Sequence, residues 1–145
     1  MKKIFILLGL VAVFGFGRGP RHLTDKEEIH FFAGTWSQAL EKARQENKPI
    51  FLDIYATWCG PCRLLKSKTF TNPEVVKFYD THFINVSLDG EKGEGLMLAS
   101  KYQIPGYPSL LILDYNERPV FASAGYMPAR EFLKFGKVGL KKAGK

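Results

Sequence analysis

Between residues 49 and 62 the chain changes its period. Pro49-Ile50-Phe51-Leu52-Asp53-Ile54-Tyr55-Ala56 is an apolar, β-branched and aromatic run broken by a single acid. That pattern suits a strand buried on both faces, and Asp53 is the anomaly in it. Trp58-Cys59-Gly60-Pro61-Cys62 follows at once and opens a helical pattern continued by Leu64, Leu65 and Lys68. These are the only cysteines of the chain. A two-residue spacer lets both sulfurs come within bonding distance inside one turn, and the start of a helix aims free N–H groups at the first of them. Cys59 is therefore expected to be the more acidic, attacking thiol, and Cys62 the thiol that resolves a mixed disulfide. A structural zinc site needs about four ligands, and His22, His30 and His82 stand at no suitable spacing. A bridge across so short a loop would add little stability. Redox chemistry is the better reading, with no metal and no cofactor.

The rest of the chain supplies a layered frame. Thr35 and Gln38 form a capping-box pattern, and Trp36, Ala39, Leu40 and Ala43 recur at helical spacing until Asn47 and Pro49. Asn72 as N-cap and Pro73 in the first turn begin another helix whose Val75, Val76 and Tyr79 face the core. Phe83–Leu88 reads as a strand, Asp89–Gly95 as a polar loop, and 96–102 as a short helix. Ser109–Leu113 and Pro119–Ala124 flank the turn-like residues 114–118 and are expected to form an antiparallel hairpin. A last amphipathic helix starts near Pro128 and dissolves into a lysine and glycine tail. Parallel crossover units thus precede a hairpin, which predicts an α/β fold with a central mixed β-sheet flanked by helices.

The formal net charge of +7 raises nucleic acid or an anionic membrane as partners. Its distribution argues against a nucleic-acid site, because Lys2, Lys3, Lys137, Lys141, Lys142 and Lys145 lie at the two ends and not on a patch between aromatic residues. After Met1-Lys2-Lys3 comes an apolar run from Ile4 to Phe16, short of the ~20 residues needed to span a bilayer. It has the form of a secretory segment or an uncleaved anchor. The expected organisation is a signal peptide or anchor over 1–17, a polar leader over 18–34, a domain over 35–136 and a basic tail over 137–145. Export from the cytoplasm, into a bacterial periplasm, follows from the leader.

On these residues the chain resembles the thioredoxin family from about Thr35 to Phe135, which implies a thioredoxin-like fold. The resemblance implies that Asp53 is the buried carboxylate that exchanges a proton with the resolving cysteine, and a buried, unpaired Asp would have the raised pKa such transfer needs. In Ile104-Pro105-Gly106-Tyr107-Pro108, Pro108 matches the family's cis-proline, Tyr107 the residue whose backbone holds an incoming peptide, and Gly125 the glycine closing the substrate groove. Trp58, Gly60 and Pro61 complete that groove. Tyr55 is expected in the core. The lysine that many thioredoxins set against the carboxylate has Asn85 at its aligned position here. The Asp89–Gly95 loop is longer than in minimal thioredoxins, and residues 69–75 are similar to exported thioredoxin-like proteins and to the C-terminal domain of the transmembrane reductase DsbD.

The Gly-Pro spacer is the pair found in reducing members of the family, with potentials near about −270 mV. The resemblance therefore implies a disulfide reductase acting on disulfide-containing exported proteins, supplied with electrons by a DsbD-like membrane donor. A monomer is expected, since no dimerisation segment is visible. Two other readings stand beside it: a disulfide isomerase, and a chaperone-like module that uses the cis-proline groove to bind peptides or an apo-metalloprotein.

Overall fold

A computed structural model describes residues 27–145; the expected signal peptide or anchor and most of the polar leader lie outside the described residues. The elements are α1 (Trp36–Glu46), β1 (Ile50–Tyr55), α2 (Gly60–Leu64), α3 (Pro73–His82), β2 (Ile84–Asp89), α4 (Gly93–Lys101), β3 (Ser109–Leu113), β4 (Pro119–Ala124) and α5 (Ala129–Lys142). The sheet runs in the order β2-β1-β3-β4. β1 and β2 are parallel, while β1–β3 and β3–β4 are antiparallel, so one crossover unit does precede the hairpin.

The alternation of β1 divides the core in two. Ile50, Leu52 and Ile54 point to one face, where Ala39, Leu40 and Ala43 of α1 and Leu98 of α4 cover them. Phe51 points to the other, into an aromatic layer built with Phe70, Tyr79 and Phe132 from the segments around α3 and α5. Local signals start the helices as expected. The Thr35 and Gln38 side chains cap each other's backbone N–H groups, Asn47 ends α1 in the left-handed conformation, and Asn72 Oδ1 accepts from Glu74 and Val75.

Three elements depart from expectation. The helix after Cys62 does not continue as α: Leu65–Thr69 widen into a π turn in which the Phe70 N–H reaches back to the Leu65 carbonyl at 2.8 Å. The extra residue in that turn lets Leu65, Thr69 and Phe70 all be buried. The polar loop is shorter than 89–95, because α4 already begins at Gly93, with Gly95 packed on the Asp89 carbonyl. Finally, α5 does not fray into a tail. It runs to Lys142, with Gly136 and Gly139 buried against Tyr79 and Ile112. The packed body also reaches back before Thr35, since Ile29 is in the core and Phe31 bridges to Asn85 beside β2.

Candidate active site

β1 carries the chain to the rim of the sheet, and Cys59 ends the following turn, its N–H donating to the Ala56 carbonyl at 3.1 Å. Cys59 is the N-cap of α2 with extended backbone, and its sulfur accepts the Cys62 N–H at 3.2 Å. Cys59 and Cys62 are joined in a disulfide with Cα atoms 5.3 Å apart. Pro61 sits in the first turn of α2, where no N–H is needed. A backbone N–H already aimed at Cys59 would favour negative charge on that sulfur once the bond opens. Both residues are covered, at 2% and 3% exposure, in a small cluster with Ala56, Tyr55 and Tyr107.

Of the expected groove residues, Tyr107 packs against this pair and links it to Trp58 and to Pro108. The Tyr107–Pro108 peptide bond is cis, and the Gly125 N–H donates to the Pro108 carbonyl at 2.8 Å. Gly125 has φ +91° with open space where a Cβ would stand, so conformation and not room calls for glycine there. Trp58 is 65% exposed and meets Tyr107 edge to face, ring centroids 6.1 Å apart. Pro61 lies at the surface, Gly60 is half-buried and Pro108 lies beneath the surface. Tyr55 is half-buried, with the Lys66 ammonium 3.7 Å above its ring.

Asp53 is buried on the Phe51 face of β1, facing Ser87 of β2 in register. Burial raises its pKa to about 6, against the lowering effects of the Ser87 hydroxyl, which donates to Oδ2 at 2.7 Å, and of the positive Lys66. Its Oδ1 has no hydrogen-bond partner among the described residues. Asp53 is thus buried, as an acid in a doubly covered strand should be. Asn85 lies opposite Phe51, one pleat repeat away, and donates instead to Asp80 Oδ1 at 3.1 Å. The cation near Asp53 comes from the turn after α2, four residues beyond Cys62, and that spacing was readable in the sequence.

Glu91 was also missed. It belongs to the loop noted above as longer than usual, and both its carboxylate oxygens accept the Trp58 indole N–H, at 3.1 and 3.2 Å. The adjacent Gly90 lies against the Tyr107 ring, 2.5 Å from where a Cβ would stand. One short loop therefore holds both aromatic side chains that flank the disulfide.

Residues 32–114 match a family model described as thioredoxin-like. Thiol:disulfide interchange protein DsbD from Pseudomonas fluorescens and from Escherichia coli K12 are each 31% identical over 99 residues. That stretch is 66% of this chain but 17% of those relatives' length. The solution structure of a candidate disulphide-isomerase from Bacteroides thetaiotaomicron is 37% identical with a TM-score of 0.70, covering 79% of this chain and 94% of that one. The oxidised C-terminal domain of DsbD from Neisseria meningitidis is 25% identical at a TM-score of 0.62, covering 76% and 99%. A thioredoxin from Thermus thermophilus, 22% identical at a TM-score of 0.72 over 81% and 92%, shares the fold. A cysteine pair at a helix start, a cis X-Pro bond whose Tyr107 packs on that pair and this match over more than half the chain agree: the protein belongs to the thioredoxin-like family.

Proposed function

We propose that the protein is a thiol-disulfide oxidoreductase working as a disulfide reductase on exported proteins. The observation that carries the reading is the Cys59–Cys62 disulfide itself, with the Cys62 N–H on the Cys59 sulfur and the cis Tyr107–Pro108 bond close by. In the reduced form the Cys59 thiolate attacks a substrate disulfide, forming a mixed disulfide and releasing one substrate sulfur as a thiolate. Cys62 then loses its proton, with Asp53 as the acceptor, and its thiolate displaces the second substrate sulfur. Two electrons pass to the substrate, and the Cys59–Cys62 bond seen here is the product state. Trp58, Gly60, Pro61, Tyr107 and Gly125 form the docking surface for an extended substrate segment. The DsbD likeness and the apolar residues 4–16 support an extracytoplasmic location, by cleavage of a signal peptide or by an anchor, and recharging by a DsbD-like membrane donor.

Substitution of the two cysteines tests the chemistry. Cys59→Ser should abolish insulin-disulfide reduction, and Cys62→Ser should accumulate mixed disulfides on Cys59 that are visible by non-reducing electrophoresis of exported extracts. Retained insulin reduction in Cys59→Ser would overturn the reading. A Cys59/Cys62 potential well above the thioredoxin value of about −270 mV would move the assignment to an isomerase or oxidase.

A further inference from the structure

The cations at the C-terminal end are not a tail but a pattern on a packed helix. Arg130, Lys134, Lys137 and Lys141 of α5 are all exposed. At 3.6 residues per turn they fall within about 60° of one another, three turns long. Phe132, Phe135, Gly136 and Gly139 take the opposite, buried side, so the stripe is the outward ridge of the helix. Glu131 is the only acid of α5 and lies off the ridge, whereas between residues 27 and 128 acids outnumber bases. The outward face of α1 shows what a merely solvated ridge looks like in this fold. It carries both signs, and Lys42 pairs with Glu46 and Arg44 with Glu41. Among the described residues, no ion pair is formed by any of the four α5 cations.

We propose that this ridge of α5 is a peripheral contact site for an anionic lipid surface. Unpaired cations of one sign in a straight line complement a plane of negative headgroups. Beside Lys134 the helix and β4 form an open groove of about 260 Å³ lined by Phe121, Met127, Phe135 and Val138, with Glu131 as its one acid, and Lys142 stands over the Phe121 ring at 4.5 Å. Cations next to an apolar groove fit an anionic amphiphile. A single-stranded nucleic acid would call for exposed aromatic faces on which bases stack, but Phe121 and Phe135 stack on each other at 5.0 Å; a duplex, held through its phosphates, is left to the test below. The chain also carries its own membrane-seeking composition, the apolar residues 4–16 between Lys2-Lys3 and Arg18. The ridge would hold the body against the headgroups while the dithiol, on α2, stays a separate site.

The test is co-sedimentation of the full chain with vesicles of phosphatidylglycerol mixed into phosphatidylcholine, compared with phosphatidylcholine alone. The parent and the fourfold variant Arg130→Gln, Lys134→Gln, Lys137→Gln, Lys141→Gln share the same N-terminal residues, so their difference isolates the ridge. Each cation is worth about fivefold in affinity, so the fourfold variant should bind anionic vesicles at least a hundredfold more weakly, and added salt should weaken the parent in the same direction. Phosphatidylcholine vesicles should not distinguish them. The double variant Lys134→Gln, Lys137→Gln serves if the fourfold one fails to fold, and a urea-unfolding midpoint equal to the parent's certifies either. Equal binding of parent and variant to anionic vesicles would overturn the proposal, as would tighter binding of the parent to a duplex DNA oligonucleotide than to the vesicles. A parent inactive on insulin would count against the redox reading and leave this comparison untouched.

Discussion

Asp53 sits among apolar side chains with one carboxylate oxygen on Ser87 and the other unpartnered. Its folded pKa of about 6 lies above the ordinary 3.8, so between those values the native state keeps a proton that the unfolded chain has released. Stability therefore falls as pH rises across that window, and the loss is complete above about 6. The gap corresponds to roughly 3 kcal/mol. Asp53→Asn should unfold at higher urea than the parent above that window, by up to about that amount, and show no advantage below pH 3.8; equal midpoints at neutral pH would contradict the burial argument. Lys66 opposes the upward shift, so in Lys66→Met the Asp53 carboxyl should titrate higher still by NMR. A lower or unchanged value would mean that Lys66 does not act on it. The acid itself was legible as one charge in an apolar run. Its Ser87 partner was not, because it depends on which residue of β2 lies opposite position 53.

Element boundaries followed caps where caps exist and tertiary packing where they do not. α1 and α3 start where Thr35 and Asn72 put a side-chain oxygen on a free N–H, which four residues of sequence suffice to show. α4 has no side-chain cap; instead Glu94 accepts the Trp36 N–H at 2.9 Å, and Gly95 lies against the backbone of β2. A Cβ at Gly95 would stand 2.0 Å from the Asp89 carbonyl oxygen. Gly95→Ala should therefore cost about 1–3 kcal/mol in urea unfolding despite alanine's better helix propensity. A stabilised variant would show that the Asp89 turn yields freely. The π turn after α2 belongs to the same class: a helical period was correctly read through Lys68, but the wider turn answers to the burial of Leu65, Thr69 and Phe70.

For the whole molecule the two-layer cover of the sheet is the dominant stabilising arrangement, and Phe51 is the hub of one side. It is fully buried and meets Phe70, Tyr79 and Phe132 edge to face at 6.1, 5.0 and 5.3 Å. Phe51→Ala should cost about 3–5 kcal/mol, measured as the shift in urea-unfolding free energy, because neighbours from three segments cannot all collapse into the void. A cost near 1 kcal/mol would mean that the aromatic layer repacks. The sequence by itself determined the succession of helices and strands along the chain, the dithiol and its helix start, and the acid in the buried strand, since each is a pattern within a few residues. The Lys66 cation one turn beyond Cys62 was a matter of local spacing, whereas only the tertiary structure decided that Ser87 lies opposite Asp53, that Glu91 holds Trp58, and that the terminal lysines line a packed helix. Those neighbours are brought together by strand register, loop path and helix packing, which depend on contacts between residues distant in sequence and are not written in local spacing.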